Sequence, residues 1–235
     1  MSKINTKRIL VISDQHMPYE HPDMFRFLNA VKKKYKPTCV VNIGDEADKH
    51  AMSFHDSDPE LFSAGDELKE ALKKIRKLEK MFPEQFVLHS NHGSMVMRKF
   101  LANGIPRAYA RPLEDVYDTP GWEWHEELVL ELPNGQPVYF CHGKKRDGIK
   151  LAQQYGMCVV QGHFHEVMKI DYTGNPRELI WSMQVGCLLD KKSLAYAYNK
   201  LNPRRPILGT GLIINSQPLL VPMVLDRKGR WVGKL

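Results

Sequence analysis

Aspartate, histidine and asparagine recur in short fragments of this chain, in an order and context that could do chemistry. The fragments are Asp14-Gln15-His16, Gly44-Asp45-Glu46-Ala47-Asp48, Ser90-Asn91-His92-Gly93, His142-Gly143 and Gly162-His163-Phe164-His165. Carboxylate, imidazole and amide oxygen are ligands for divalent cations, and an oxygen–nitrogen set without thiolate suits Mn²⁺, Fe or Zn²⁺ over Ca²⁺ or a structural zinc. Asp14 or Asp45 alone reads as a helix N-cap or turn residue. A lone His142 reads as a satisfied buried histidine. Together, nearly all directly behind an apolar run, they point to a pair of dications. Two metals about 3.5–4 Å apart can stabilise both the attacking and leaving oxygens of an in-line displacement, and they make hydroxide available near neutral pH by acidifying a bridging water. Such a site hydrolyses phosphate esters.

The elements that must position these residues alternate. Arg8–Asp14, Thr38–Ile43 and Gln85–His89 read as strands, the second rich in β-branched residues. Asp23–Lys34, led by Pro22, and Ala64–Met81 carry apolar residues at helical spacing. The second half reads as hairpins: Trp124–Leu132 with Pro137–Cys141 around Asn134-Gly135, and Val167–Tyr172 with Glu178–Met183. Met157–Val160, Gly211–Ile214 and Leu219–Leu225 are further strands, and Asp147–Tyr155 is a helix. The expectation is an α/β fold, a four-layer α-β-β-α sandwich with two mixed sheets, formed by residues 1–235 as a single domain. The ligands then lie at strand carboxyl ends, where open α/β sheets gather their sites. Gly44, Gly143 and Gly162 let the backbone turn sharply beside them.

The chain has 235 residues, 43% of them hydrophobic and 26% charged, ordinary values for a globular protein. Cys39, Cys141, Cys158 and Cys187 form no C-x-x-C pair and read as buried thiols. With no signal peptide and no span of about 20 apolar residues, the expected location is the cytoplasm, bacterial or that of a phage-infected host, away from membranes. A formal charge of +7 favours anionic partners.

The ordered motifs resemble the calcineurin-like metallophosphoesterase superfamily, with its D-x-H, G-D-x-x-D, G-N-H-E/D, H and G-H-x-H series. The resemblance runs from Arg8 to about His165 and more loosely beyond. It implies that Asp14, His16 and His165 hold one metal, that Asn91, His142 and His163 hold the other, and that Asp45 bridges them. It makes His92 the acid that protonates the leaving oxygen and Asp48 the carboxylate that orients His92. It implies two divalent cations, Mn²⁺ first, with Fe, Zn²⁺ or Ni²⁺ as alternatives. Gly93 stands where the family usually has an acid. Lys49 and His89 stand where protein Ser/Thr phosphatases carry phosphate-binding arginines, which argues against that branch.

The opening Ser13-Asp14-Gln15-His16-Met17-Pro18 and the late Gly186-Cys187-Leu188 are similar to compact phage and prophage members related to repair exonucleases. The first reading is therefore a phosphodiesterase or nuclease acting on DNA or RNA. Lys144-Lys145-Arg146, Arg98, Arg107 and Arg111 are candidates for flanking phosphates. Tyr196, Tyr198, Lys200, Arg204 and Arg205 interleave aromatic and basic residues as single-strand binders do. A phosphomonoesterase acting on nucleotides or another small molecule is the alternative, and a non-catalytic scaffold a distant third. His21, His50, His55, His89 and His125 match no motif. Asp56 and Asp58 read as solvated loop residues.

Overall fold

Strand β1 (Arg8–Ile12) sets the layers. Side chains alternate across a strand, and Leu10 and Ile12 pack with Phe27 and Leu28 of helix α1 (Met24–Tyr35) and with Ile75 and Leu78 of helix α2 (Ala64–Met81). Ile9 and Val11 face the other way, into a second core with Val138, Phe140, Val160 and Met183. The computed structural model describes residues 4–53, 60–174, 176–190, 192–193 and 205–235.

Strands β2 (Cys39–Asn42), β3 (Gln85–Leu88) and β4 (Trp122–His125) continue from β1 in parallel. The late strands β10 (Gly209–Ile214) and β11 (Gln217–Pro222) add antiparallel on its other side, so the six-stranded order is β11-β10-β1-β2-β3-β4. The second sheet has five strands: β5 (Leu128–Glu131), β6 (Pro137–Cys141), β7 (Cys158–Gln161), β9 (Leu179–Val185) and β8 (Met168–Gly174), in that order across the sheet. Helix α5 (Gly148–Tyr155) covers it through Leu151 and Ala152. Both sheets are mixed, and the layers are α-β-β-α, as expected.

Local signals set the helix ends. The Ser63 hydroxyl accepts from the Asp66 N–H at the start of α2, and the Asp147 carboxylate accepts from the Lys150 N–H at the start of α5. Gly156 closes α5 in the left-handed conformation.

One expected strand divides. Trp124–Leu132 breaks at Glu126-Glu127, so that β4 joins β3 in the first sheet while β5 pairs with β6 in the second. Periodicity reports a strand but not which sheet it enters. Two short helices, α3 (Met95–Ala102) and α4 (Leu113–Tyr117), have too little apolar repeat to stand out. His55, Asp56, Asp58, Tyr196, Tyr198, Lys200 and Arg204 lie outside the described residues. No helix among the described residues is long and apolar enough to cross a membrane.

The chain's end clasps its beginning. Buried Asp23, just ahead of α1, accepts from Arg230 Nε at 2.7 Å, Arg230 Nη2 at 2.6 Å and the Trp231 N–H at 3.0 Å. The Arg230 hydrogen bond is the main reason its carboxyl stays well below the usual range. Because the folded pKa lies below the unfolded one, this stabilisation is present above the ordinary carboxylate pKa and fades as acid protonates Asp23. Asp23→Ala should lower the unfolding free energy at pH 7 by about 1–3 kcal/mol, trimmed because Arg230 is half in solvent. Urea denaturation measures it; an unchanged midpoint would mean that the clasp contributes nothing.

Candidate metal centre

The carboxyl ends of β1, β2, β3, β6 and β7 meet at one edge of the sandwich, and the loops after them bring the ligand candidates together. Main-chain bonds stitch these loops: Asp14 N–H to Gly44 O, His16 N–H to Asp45 O, and Gly162 N–H to His142 O. Asp14, His16, Asp45 and His163 have φ of 51°, 51°, 53° and 66°, in the left-handed region. Such residues cost about 1–3 kcal/mol each and persist where surrounding structure holds them, as at functional sites.

Three clusters of possible ligands form, with ligand atoms within 4.8 Å of one another: Asp14/His16/His165, Asp45/His142/His163, and His16/Asp45/His92. The first two are adjacent cages. In one, His165 Nε2 is 3.0 Å from Asp14 Oδ1 and 3.2 Å from His16 Nε2. In the other, His142 Nε2 is 2.7 Å from Asn91 Oδ1, 3.2 Å from Asp45 Oδ2 and 3.2 Å from His163 Nδ1. Asp45 Oδ2 also lies 3.8 Å from His16 Nε2, between the cages. Asp14, His16, Asp45 and His142 form a buried floor, while Asn91, His92, His163 and His165 make a rim open to solvent.

The outer hydrogen bonds decide what the floor can hold. His16 Nδ1 donates to Asp48 Oδ1 at 2.7 Å, and His142 Nδ1 donates to Ile43 O at 2.9 Å. In each neutral ring the proton therefore sits on Nδ1 and a lone pair on Nε2. Those Nε2 atoms face carboxylate and amide oxygens, which are acceptors, and the ring nitrogens of His165 and His163. Acceptors aimed at one point need a cation there, so the donor set fits divalent metals. The same demand appears in the ring pKa values. Burial alone would lower His16, but hydrogen bonds to Asp14 and Asp48 outweigh it and raise it to about 10. Burial is likewise overcome at His142 by the charge of Asp45, which raises it to about 9. Against their own burial, Asp14 is pushed down chiefly by His165 and Asp45 chiefly by His142.

The glycines act differently from expectation. Only Gly44, at φ 103°, makes a left-handed turn. Gly162 and Gly143 serve close approach: a Cβ on Gly162 would meet Ser13 Oγ at 1.9 Å and Asp14 Oδ2 at 2.5 Å, and one on Gly143 would meet His163 Cβ at 2.4 Å. Asp48 also differs. Its carboxylate bonds His16 and lies 3.7 Å from His92 Nδ1, whereas its main-chain carbonyl is what His92 Nδ1 donates to. The Lys144-Lys145-Arg146 cluster is largely engaged: Lys144 with Glu127, Arg146 with Glu166 at 2.5 Å, and Lys145 with Gln154 at 3.4 Å. Arg98 donates to Asn91 O at 2.9 Å, steadying a ligand loop. Ser13, which opens the Ser13-to-Pro18 motif but carries no assigned role in the sequence, donates to Asp14 Oδ2. None of the three clusters includes His21, His50, His89 or His125.

Two substitutions away from the ligand atoms probe this arrangement. Asp48→Asn should weaken metal affinity by about 10–100-fold, as loss of an outer hydrogen bond does. Gly162→Ala should do at least as much by displacing Asp14. Calorimetric titration of the chelator-stripped chain reads both; wild-type affinity in either would refute the corresponding contact.

A family model described as calcineurin-like phosphoesterase matches residues 7–195. No curated protein matches the chain. Among solved structures, an archaeal phosphodiesterase aligns at 14% identity and TM-score 0.49, covering 92% of this chain and 99% of its own. Vps29 from Chaetomium thermophilum aligns at 11% identity and TM-score 0.48, covering 95% and 92%. The Escherichia coli phosphoesterase YfcE aligns at 13% identity and TM-score 0.44, covering 96% of each chain. With most of its length and all its ligand loops inside the matched region, the chain belongs to the calcineurin-like phosphoesterases.

Proposed function

We propose that this chain hydrolyses phosphodiesters with two divalent cations, Mn²⁺ in preference to Fe, Zn²⁺ or Ni²⁺, and that its substrate is DNA or RNA in the cytoplasm. The observation that carries the reading is the pair of adjacent ligand cages with Asp45 Oδ2 3.8 Å from His16 Nε2 between them, and an outer hydrogen bond on Nδ1 of His16 and of His142. Asp14, His16 and His165 would hold one cation, and Asn91, His142 and His163 the other. When bound, the cations supply Lewis acidity for phosphate oxygens and hydroxide at neutral pH.

The chain's own residues do the rest. His92 stands on the rim with its Nδ1–H committed to the Asp48 carbonyl, which leaves Nε2 as the atom that can carry a proton to a leaving oxygen. Its main-chain N–H donates to Asp45 Oδ1 at 3.1 Å, holding it beside the floor. His92 also closes a cluster with His16 and Asp45, so by distance alone it competes as a metal ligand. Nucleic acid is favoured by the basic balance and by the arm after His92, where Arg107 and Tyr109 are exposed and suited to phosphate contact and base stacking. The engaged state of Lys144 and Arg146 lends that cluster no support as a phosphate track.

His92→Ala should keep two metals per chain and lose about 10²–10⁴ in kcat, the usual worth of a general acid. Loss of one metal would make His92 a ligand instead. Asp45→Ala and His163→Ala should abolish turnover together with metal binding. With the chelator-stripped chain and added Mn²⁺, bis-p-nitrophenyl phosphate should be hydrolysed faster than p-nitrophenyl phosphate. Preference for the monoester would replace the nuclease reading with a nucleotide or small-molecule phosphatase. Inactivity on both and on nucleic acids would favour a binding module.

A further inference from the structure

Lys49 lies directly behind the His92 loop and is only 5% exposed. Lysine is almost never so buried unless it is paired. Its Nζ donates to the main-chain carbonyl of His92 at 3.0 Å and to that of Gly93 at 3.4 Å. The ammonium also stands over the Tyr117 ring, 5.7 Å from its centroid. Burial lowers its pKa, while the charges of Glu46, Asp45, Glu67 and Asp48 act in the opposite sense. Glu46, 1% exposed, lies beside the Tyr117 hydroxyl, and the nearby Lys49 cation offsets part of the cost of burying it.

The main chain that aims this lysine is itself anchored. Lys49 sits at φ 60°, and its carbonyl accepts from the Met52 N–H at 3.0 Å. The next two N–H groups, of His50 and Ala51, donate to the Glu67 carboxylate of α2 at 2.7 and 3.0 Å. Asp48 N–H donates to Met17 O at 3.0 Å. The side chain thus leaves a fixed platform and ends on the loop that carries His92.

We infer that Lys49 is a positioning residue for His92, holding from behind a loop that lacks an acid at position 93. Three groups of one segment then grip His92. Asp45 takes its main-chain N–H, the Asp48 carbonyl takes its ring Nδ1–H, and Lys49 takes its carbonyl. An ammonium reaches two carbonyls at once because it carries three donors and no acceptor. The role differs from that of a phosphate-binding cation, because Lys49 is buried and its donors point to the main chain.

The inference rests on the proposed role of His92, and the experiment separates the two. Steady-state kinetics with aryl phosphate esters graded in leaving-group basicity would compare wild type, Lys49→Met, His92→Ala and the double variant. Lys49→Met should keep two metals per chain and an unchanged KM while losing about 10–100-fold in kcat, the scale of a misplaced catalytic group. The loss should grow with leaving-group basicity, as for His92→Ala. Lys49→Arg should recover most of the rate. The double variant should be no slower than His92→Ala alone, because Lys49 acts through that ring. Losses that multiply in the double variant would overturn the inference while leaving the proposed function intact. So would a Lys49→Met chain that fails to fold or to hold metals, which would make Lys49 structural. If wild type or His92→Ala kinetics refute the acid itself, a crystal structure of Lys49→Met decides separately. A displaced His92 carbonyl would support the positioning contact, and an unmoved one would overturn it.

Discussion

Buried negative charge is the constraint around which this molecule is built. Asp14, Asp45 and Asp48 lie beneath the surface within one small region, and ionised carboxylates cost several kcal/mol each to bury unless paired. Lys49 commits its donors to the main-chain carbonyls behind the His92 loop, and the rings that face the acids are imidazoles. Two of those rings are turned by Asp48 and by the Ile43 carbonyl so that each presents a lone pair to the acids. The stored demand is for cations from outside. The fold's task is to keep four ligand-bearing residues in left-handed backbone conformations.

Two parallel-sheet edges perform this task. A parallel strand delivers its last residue at the same end as its neighbour, so β1, β2 and β3 of one sheet and β6 and β7 of the other leave their ligand loops side by side. The stitching bonds from Asp14 to Gly44 and from Gly162 to His142 tie loops within each sheet. The His163 N–H, donating to Asp14 Oδ2 at 2.9 Å, ties one sheet to the other. Gly162 has no Cβ where Ser13 and Asp14 pass, and this close approach lets the two halves of the site meet.

Much of this was legible in the sequence because a strand followed by a turn and a ligand is a local pattern. The parallel strands, the two long helices and the late hairpins announce themselves by period and by turn residues. What stayed hidden is long-range. Nothing local tells that Trp122–His125 leaves its neighbour Leu128–Glu131 for the other sheet. Asp48 is one residue with a carboxylate and a carbonyl, and only the fold decides that the first goes to His16 and the second to His92. Lys49 marks, in the sequence, only a departure from the arginine of protein phosphatases, and its burial against Tyr117 is set by the fold. Lys144 and Arg146 read as free cations because their partners, Glu127 and Glu166, lie on other segments of the sequence but adjacent in space.

The central claim is that two cations share one carboxylate here. Titrating the chelator-stripped chain with Mn²⁺ and following it by electron paramagnetic resonance tests this most directly. Two equivalents bound with an exchange-coupled spectrum is the expected result, since cations that shared Asp45 would sense each other. A single equivalent, or two that give only the spectrum of isolated ions, would contradict the shared dinuclear centre.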